Sequence, residues 1–113
     1  MFVRTDLPLA QQLAQSNHGS LQAGLLAGQS RQYTQTPSII ILQVKSEAQL
    51  LKARAALQEQ DIVSEIFYEP DSHLGYEPSY TAFATLPITE DQRIHLRKYR
   101  LWRNPYEQIA QAA

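Results

Sequence analysis

The sequence predicts an α/β fold, a three-layer sandwich in which a mixed four-stranded sheet is flanked by helices. Three observations carry this. Short β-branched or aromatic runs alternate with longer stretches of helical periodicity, in the order β-α-β-α-β-β-α. The first two connections each pass through a helix, which favours parallel pairing wherever those strands are neighbours; the third and fourth strands are joined by a loop, which implies at least one antiparallel pair. The 113 residues, 43 % of them hydrophobic, suffice for one domain over 1–113 with a modest core, the tail 104–113 being only loosely attached.

Residues 1–5 contain Phe2, Val3 and Thr5, good strand formers, and make the first strand. Asp6 is suited to cap a helix, with Pro8 tolerated in its first turn because the missing N–H is an orphan there. Leu9, Leu13, Leu21 and Leu25, with Ala10 and Ala14, recur at near-helical spacing and predict a helix over 7–27, loosened at His18-Gly19-Ser20 and stopped by Gly28. Residues 29–37 are polar and aperiodic, a surface loop. The nearly continuous apolar run of 38–45 suits a central strand covered on both faces. Ser46 and Gln49 have capping-box spacing and open a helix over 47–60. Residues 62–68 form a third strand with Ile62, Ile66 and Tyr68 on one face, and 79–86 form a fourth. Between them, 69–78 is a loop long enough to carry function. Thr89 and Gln92 repeat the capping-box spacing and predict a last helix to about Tyr99.

Composition excludes several classes. A 19 % charged content argues against disorder, and the absence of cysteine excludes disulfides and thiolate chemistry. No basic segment leads into a long apolar run, so no signal peptide is expected. The longest apolar run, 39–42, is far too short to span a bilayer, so no membrane partner is expected and a cytoplasmic location is the default. A net charge of −1 gives no global support for nucleic-acid binding, but five of the ten Lys and Arg residues lie between Arg93 and Arg103.

Val3-Arg4-Thr5-Asp6-Leu7, then Ala14-Gln15 and His18 in the following helix, then a strand beginning Thr81-Ala82-Phe83-Ala84, together resemble the type II peptidyl-tRNA hydrolase family over residues 2–99, in the same element order. The resemblance implies that family's fold and hydrolysis of the ester between a peptide and the 3′ end of tRNA. It further implies tRNA or peptidyl-tRNA as partner, a homodimer, and no metal or other cofactor. The chain departs from the family between Leu7 and Ala14, a stretch that is shorter here and has no lysine, with Gln11 at the position matching the family's helix lysine. An ungapped count back from Thr81 puts Glu69 on the family's acidic position, with Asp71 two residues away, and the family's threonine falls near His73.

His18 is the first candidate for chemistry, because ester hydrolysis needs a base and an imidazole titrates in the right range. The bland alternative is a half-buried histidine that only packs. Glu69, Asp71 and His73 lie beyond the third strand, where ligands gather in open α/β sheets. If strands one and three run parallel, these groups converge with Asp6, Gln11 and Gln15, and a carboxylate can hold His18 in one tautomer; the alternative is a solvated acidic loop, and for Asp6 a helix cap. Three potential ligands within five residues of a loop rarely converge on a metal, so none is expected. Arg97, Lys98, Arg100 and Arg103, near Tyr99 and Trp102, are candidates for RNA contact; alternatively they oppose a helix dipole while Trp102 anchors the tail. Three functions follow: hydrolysis of peptidyl-tRNA or a related acyl-RNA ester, a catalytically degenerate module binding RNA or protein, and an unrelated small-molecule enzyme using the same crevice.

Overall fold

A computed structural model of the chain describes residues 1–30, 37–71 and 77–104. His73, most of the polar segment 29–37, part of the loop 69–78 and the tail beyond Asn104 lie outside the described residues. The elements are β1 (Phe2–Arg4), α1 (Leu9–Ser30), β2 (Leu42–Val44), α2 (Glu47–Gln58), β3 (Ser64–Glu69), β4 (Ser79–Thr85), a 3-10 helix (Asp91–Leu96) and β5 (Arg100–Leu101). They build a five-stranded mixed sheet in the order β3-β4-β1-β2-β5, one strand more than the sequence predicts. β1 and β2 are parallel, as expected of a helical crossover, and the other neighbouring pairs are antiparallel.

The predicted last helix is reduced to a 3-10 segment over Asp91–Leu96, and the extra strand follows it at Arg100–Leu101. Thr89 and Gln92 do exchange hydrogen bonds, the Thr89 N–H donating to Gln92 Oε1 at 2.9 Å and the Gln92 N–H to Thr89 Oγ1 at 3.4 Å. The chain then makes only a short 3-10 segment, because Leu96 and Tyr99 pack against the core and Arg100 must be extended to pair with Gln43. The free edge of β2 outweighs a local helix signal.

Alternation along the central strands puts one core on each face. Phe2, Leu42, Val44 and Phe83 meet Leu50, Ala53 and Leu57 of α2, with the Phe2 and Phe83 rings stacked at 4.4 Å. Val3, Ala82 and Ala84 meet Ala23 of α1 on the other face. The helix α2 starts where its capping residues predict: Ser46 Oγ accepts from the Gln49 N–H at 3.2 Å, and Gln49 Oε1 accepts from the Lys45 N–H at 2.9 Å. It ends at Gln58, and Asp61 takes up the left-handed conformation that lets the chain turn into β3.

Two expectations about α1 are corrected. The helix runs unbroken through Gly19 and past Gly28. Its leucine stripe is also not its buried face: Leu13, Leu21 and Leu25 are 51–64 % exposed, whereas Gln12, Gln15, Gly19, Ala23 and Ala27 are buried. The reason is close approach. A Cβ added at Gly19 would stand 3.3 Å from that of Ala82, so small residues and flat amides fit here and leucines do not.

β2 is likewise shorter than the run 38–45 suggests. Ile39 and Ile40 are exposed, and the Ile40 carbonyl instead accepts from the Met1 ammonium at 3.1 Å. That ammonium is buried, which lowers its pKa from 8.0 to about 6. No described helix is long and apolar enough to cross a membrane.

Candidate functional site

β1, β2 and β3 all run antiparallel to β4 or parallel to one another, so their carboxyl ends share one edge of the sheet with the start of β4. The first turns of α1 and α2 lie at the same edge, because each helix follows directly on β1 or β2. Arg4, almost wholly buried, ties this edge together. Its Nε and Nη2 each donate to Asp6 at 2.9 Å, while Nη1 donates to Ser79 Oγ at 2.8 Å and to the Tyr80 carbonyl at 3.0 Å. Asp6 therefore serves as the bidentate partner of an arginine rather than as a helix cap. The Pro8 carbonyl accepts the first helical N–H, that of Gln12, and α1 begins at Leu9.

Gln15 is the hub. Its side chain is buried, with Nε2 donating to Glu69 Oε2 at 2.8 Å and to Gln11 Oε1 at 3.2 Å, and Oε1 accepting from Thr81 Oγ1 at 2.8 Å. Glu69 Oε1 accepts from the Asp71 N–H at 3.1 Å. The buried carboxylate is thus met by N–H donors from Gln15 and Asp71, as a charge removed from water requires. One turn back, Gln12 Nε2 donates to the Thr5 and Leu7 carbonyls, and its Oε1 accepts from Trp102 Nε1 at 2.7 Å. Trp102 is therefore an anchor that fastens the end of the described chain to the start of α1.

A bulge shapes the β3–β4 side. Ile66 pairs with Phe83 and Phe67 with Ala82, but Tyr68 pairs with Tyr80, and Thr81 is passed over. Thr81 and Ala82 consequently both meet α1, the former through Gln15 and the latter against Gly19.

His18 is exposed on α1 and lies flat on Phe67, the ring centroids 4.5 Å apart and the planes 8° from parallel. Among the described residues its ring nitrogens make no hydrogen bond, and neither carboxylate pairs with it. The structure thus joins Asp6 to Arg4, and both Gln11 and Glu69 to Gln15; it sets His18 one helical turn from Gln15. Asp71 is exposed and contributes its backbone N–H. No group of three or more His, Asp or Glu among the described residues is arranged to hold a metal.

Arg97, Lys98, Arg100 and Arg103 are all exposed, but on the turn around β5 rather than on a helix. Lys98 Nζ lies 5.4 Å from the Tyr99 ring centroid, and the Arg103 N–H donates to Gln43 Oε1. Sequence reasoning passed over Gln12, Ser79, Phe67 and the tyrosines outside the basic segment. The available signal was three glutamines at 11, 12 and 15 inside a leucine-rich helix, a polar stripe that must face partners if buried. No known family model and no curated protein matches the chain.

Proposed function

We propose that the chain hydrolyses peptidyl-tRNA, or a related acyl-RNA ester, on a fold of the type II peptidyl-tRNA hydrolase kind. The observation that supports this reading is the joining of Gln15 to both Glu69 and Thr81 in one buried hydrogen-bonded set. The family resemblance matches these three residues from distant parts of the chain, and a solvent-open imidazole stands one turn away. In this reading His18 takes a proton from water, whose oxygen attacks the ester carbonyl carbon. The bond from that carbon to the ribose oxygen then breaks, and the ribose oxygen leaves with the proton. Gln11 gives its Oε1 to Gln15 and keeps its own amide N–H groups for the carbonyl oxygen as negative charge builds there. Glu69 acts through Gln15, fixing the helix face, and the exposed cations around β5 take tRNA phosphates. The homodimer that the resemblance implies belongs to the same reading, supported by the exposed leucines on α1, a helix with no Asp, Glu, Lys or Arg.

A second reading, a non-catalytic module binding RNA or protein, is favoured by the Glu69 carboxylate's engagement with Gln15 and Asp71 and by the lack of a lysine in residues 8–12. Incubation with a peptidyl-tRNA analogue separates the two. The wild type should release the peptide, and His18→Ala should be slower by roughly 10²–10⁴-fold, the usual contribution of a general base. Absence of turnover refutes the hydrolase, and equal turnover by both proteins refutes the catalytic role of His18. Salt-dependent binding of uncharged tRNA without cleavage then establishes the module.

A further inference from the structure

Two tyrosines that the hydrolytic reading does not use stand beside the site. Tyr68 and Tyr80 are 47 % and 36 % exposed, and their rings meet edge to face with centroids 5.0 Å apart. The bulge makes this pair, because it advances Tyr80 past Thr81 to stand opposite Tyr68. By alternation from Phe67, whose ring carries His18, Tyr68 belongs to the opposite face of the sheet. Tyr80 is held on both sides of its peptide: its N–H donates to Glu47 Oε2 at 2.7 Å and its carbonyl accepts from Arg4. In sequence it lies between Ser79, bound to Arg4, and Thr81, bound to Gln15, while Tyr68 immediately precedes Glu69. The pair is therefore a water-exposed aromatic surface at the sheet edge where the candidate site opens, on the face opposite His18 and Gln15, and the Tyr80 backbone is held by these hydrogen bonds.

We propose that the Tyr68–Tyr80 pair is a stacking platform for unpaired nucleobases at the end of an RNA strand. This rests on the reading of the substrate as an acyl-RNA ester, whose reacting end is single-stranded. Aromatic faces stack on any base without reading its sequence. Of the acidic groups at this edge, Asp6 is engaged with Arg4, Glu47 with the Tyr80 N–H and Glu69 with Gln15, while Asp71 and Glu77 are exposed three residues from Tyr68 and Tyr80. Cations lie along the same sheet: exposed Lys45 follows β2, and the antiparallel pairing of Arg100 with Gln43 sends the chain before Arg100, with Lys98 and Arg97, toward the carboxyl end of β2. From β4 to β5 is three interstrand steps, roughly 14 Å. A strand whose terminal bases lie on the tyrosines can therefore bring its preceding phosphates to that basic turn.

The test uses uncharged tRNA with its 3′ single strand intact and the same tRNA with those nucleotides trimmed away. The wild type should bind the intact form more tightly. Tyr68→Ala and Tyr80→Ala should each weaken binding of the intact form by roughly 5- to 100-fold and erase the preference, whereas Tyr68→Phe and Tyr80→Phe keep it. The phenylalanine variants and thermal melting of all four separate loss of stacking from loss of fold. Equal binding of intact and trimmed tRNA by the wild type, absence of tRNA binding, or alanine variants that bind as the wild type does each overturn the platform. Turnover of peptidyl-tRNA with no tyrosine effect leaves hydrolysis standing and removes the platform. A tyrosine-dependent preference without turnover does the reverse.

Discussion

Truncating Gln15 tests whether its hydrogen-bonded set is a structural keystone. Gln15→Ala removes one donor from the buried Glu69 carboxylate and the acceptor of the buried Thr81 hydroxyl, each at 2.8 Å. A hydrogen bond to a charged group contributes about 1.5–3 kcal/mol and a neutral one about 1 kcal/mol, and the stranded partners add desolvation costs. The expected loss is therefore about 3–4 kcal/mol, a large share of the ~5–15 kcal/mol that holds an ordinary domain together. Thr81→Val alone should cost about 1–2 kcal/mol, since it strands only the Gln15 oxygen. The double variant should cost less than the sum by about 0.5–1 kcal/mol or more, because both changes break the same bond. Urea unfolding of the four proteins measures this through the midpoint at constant slope. A Gln15→Ala loss under about 1 kcal/mol, or strictly additive losses, would refute the hub.

Three further outcomes are expected. Gly24 faces open space on α1, so Gly24→Ala should stabilise the protein by about 0.5–1 kcal/mol, read by thermal melting; a lower melting temperature contradicts the assignment of that face to solvent. Trp102→Phe keeps a ring but loses the 2.7 Å bond to Gln12, and should cost about 1–2 kcal/mol in urea unfolding, with Gln12→Ala adding little on top. The Met1 ammonium of this chain has its pKa lowered to about 6 from 8.0, so between these values the unfolded chain holds more protons than the folded one. Stability should rise with pH across that window, by at most about 2.7 kcal/mol in total, and an acetylated N-terminus should abolish this slope; an unchanged slope after acetylation sinks the assignment.

The parts of the fold that local chemistry specifies are legible in the sequence. Ser46 and Gln49 mark the start of α2 because capping is a contact between neighbours in the chain, and the helical crossover between β1 and β2 follows from the alternation of elements. The convergence of the ends of β1 and β3 follows from strand direction, which brings Glu69 to Gln15. The rest depends on partners far apart in sequence. Arg4 meets Ser79 across 75 positions and Gln12 meets Trp102 across 90, and no local pattern announces either. Thr89 and Gln92 open a helix that β2 then denies, since pairing Arg100 with Gln43 is a long-range demand. The face of α1 is misread for a steric reason: leucine spacing reports helical period, but the narrow gap above Ala82 admits Gly19 and Ala23 and turns the leucines outward.

The bulge at Thr81 makes β4 a strand with two phases. On one side, Ala82 and Phe83 alternate between the two cores; on the other, Thr81 and Tyr80 follow a pattern displaced by one residue. Paired without that offset, the same amino acids would turn the threonine hydroxyl away from Gln15 and carry the Tyr80 ring under α1. The chemistry of this edge is therefore set by a count as much as by an identity. Loss or gain of a single residue in β4 would rearrange it more thoroughly than replacement of any one side chain, while leaving the hydrophobic composition of the strand nearly untouched.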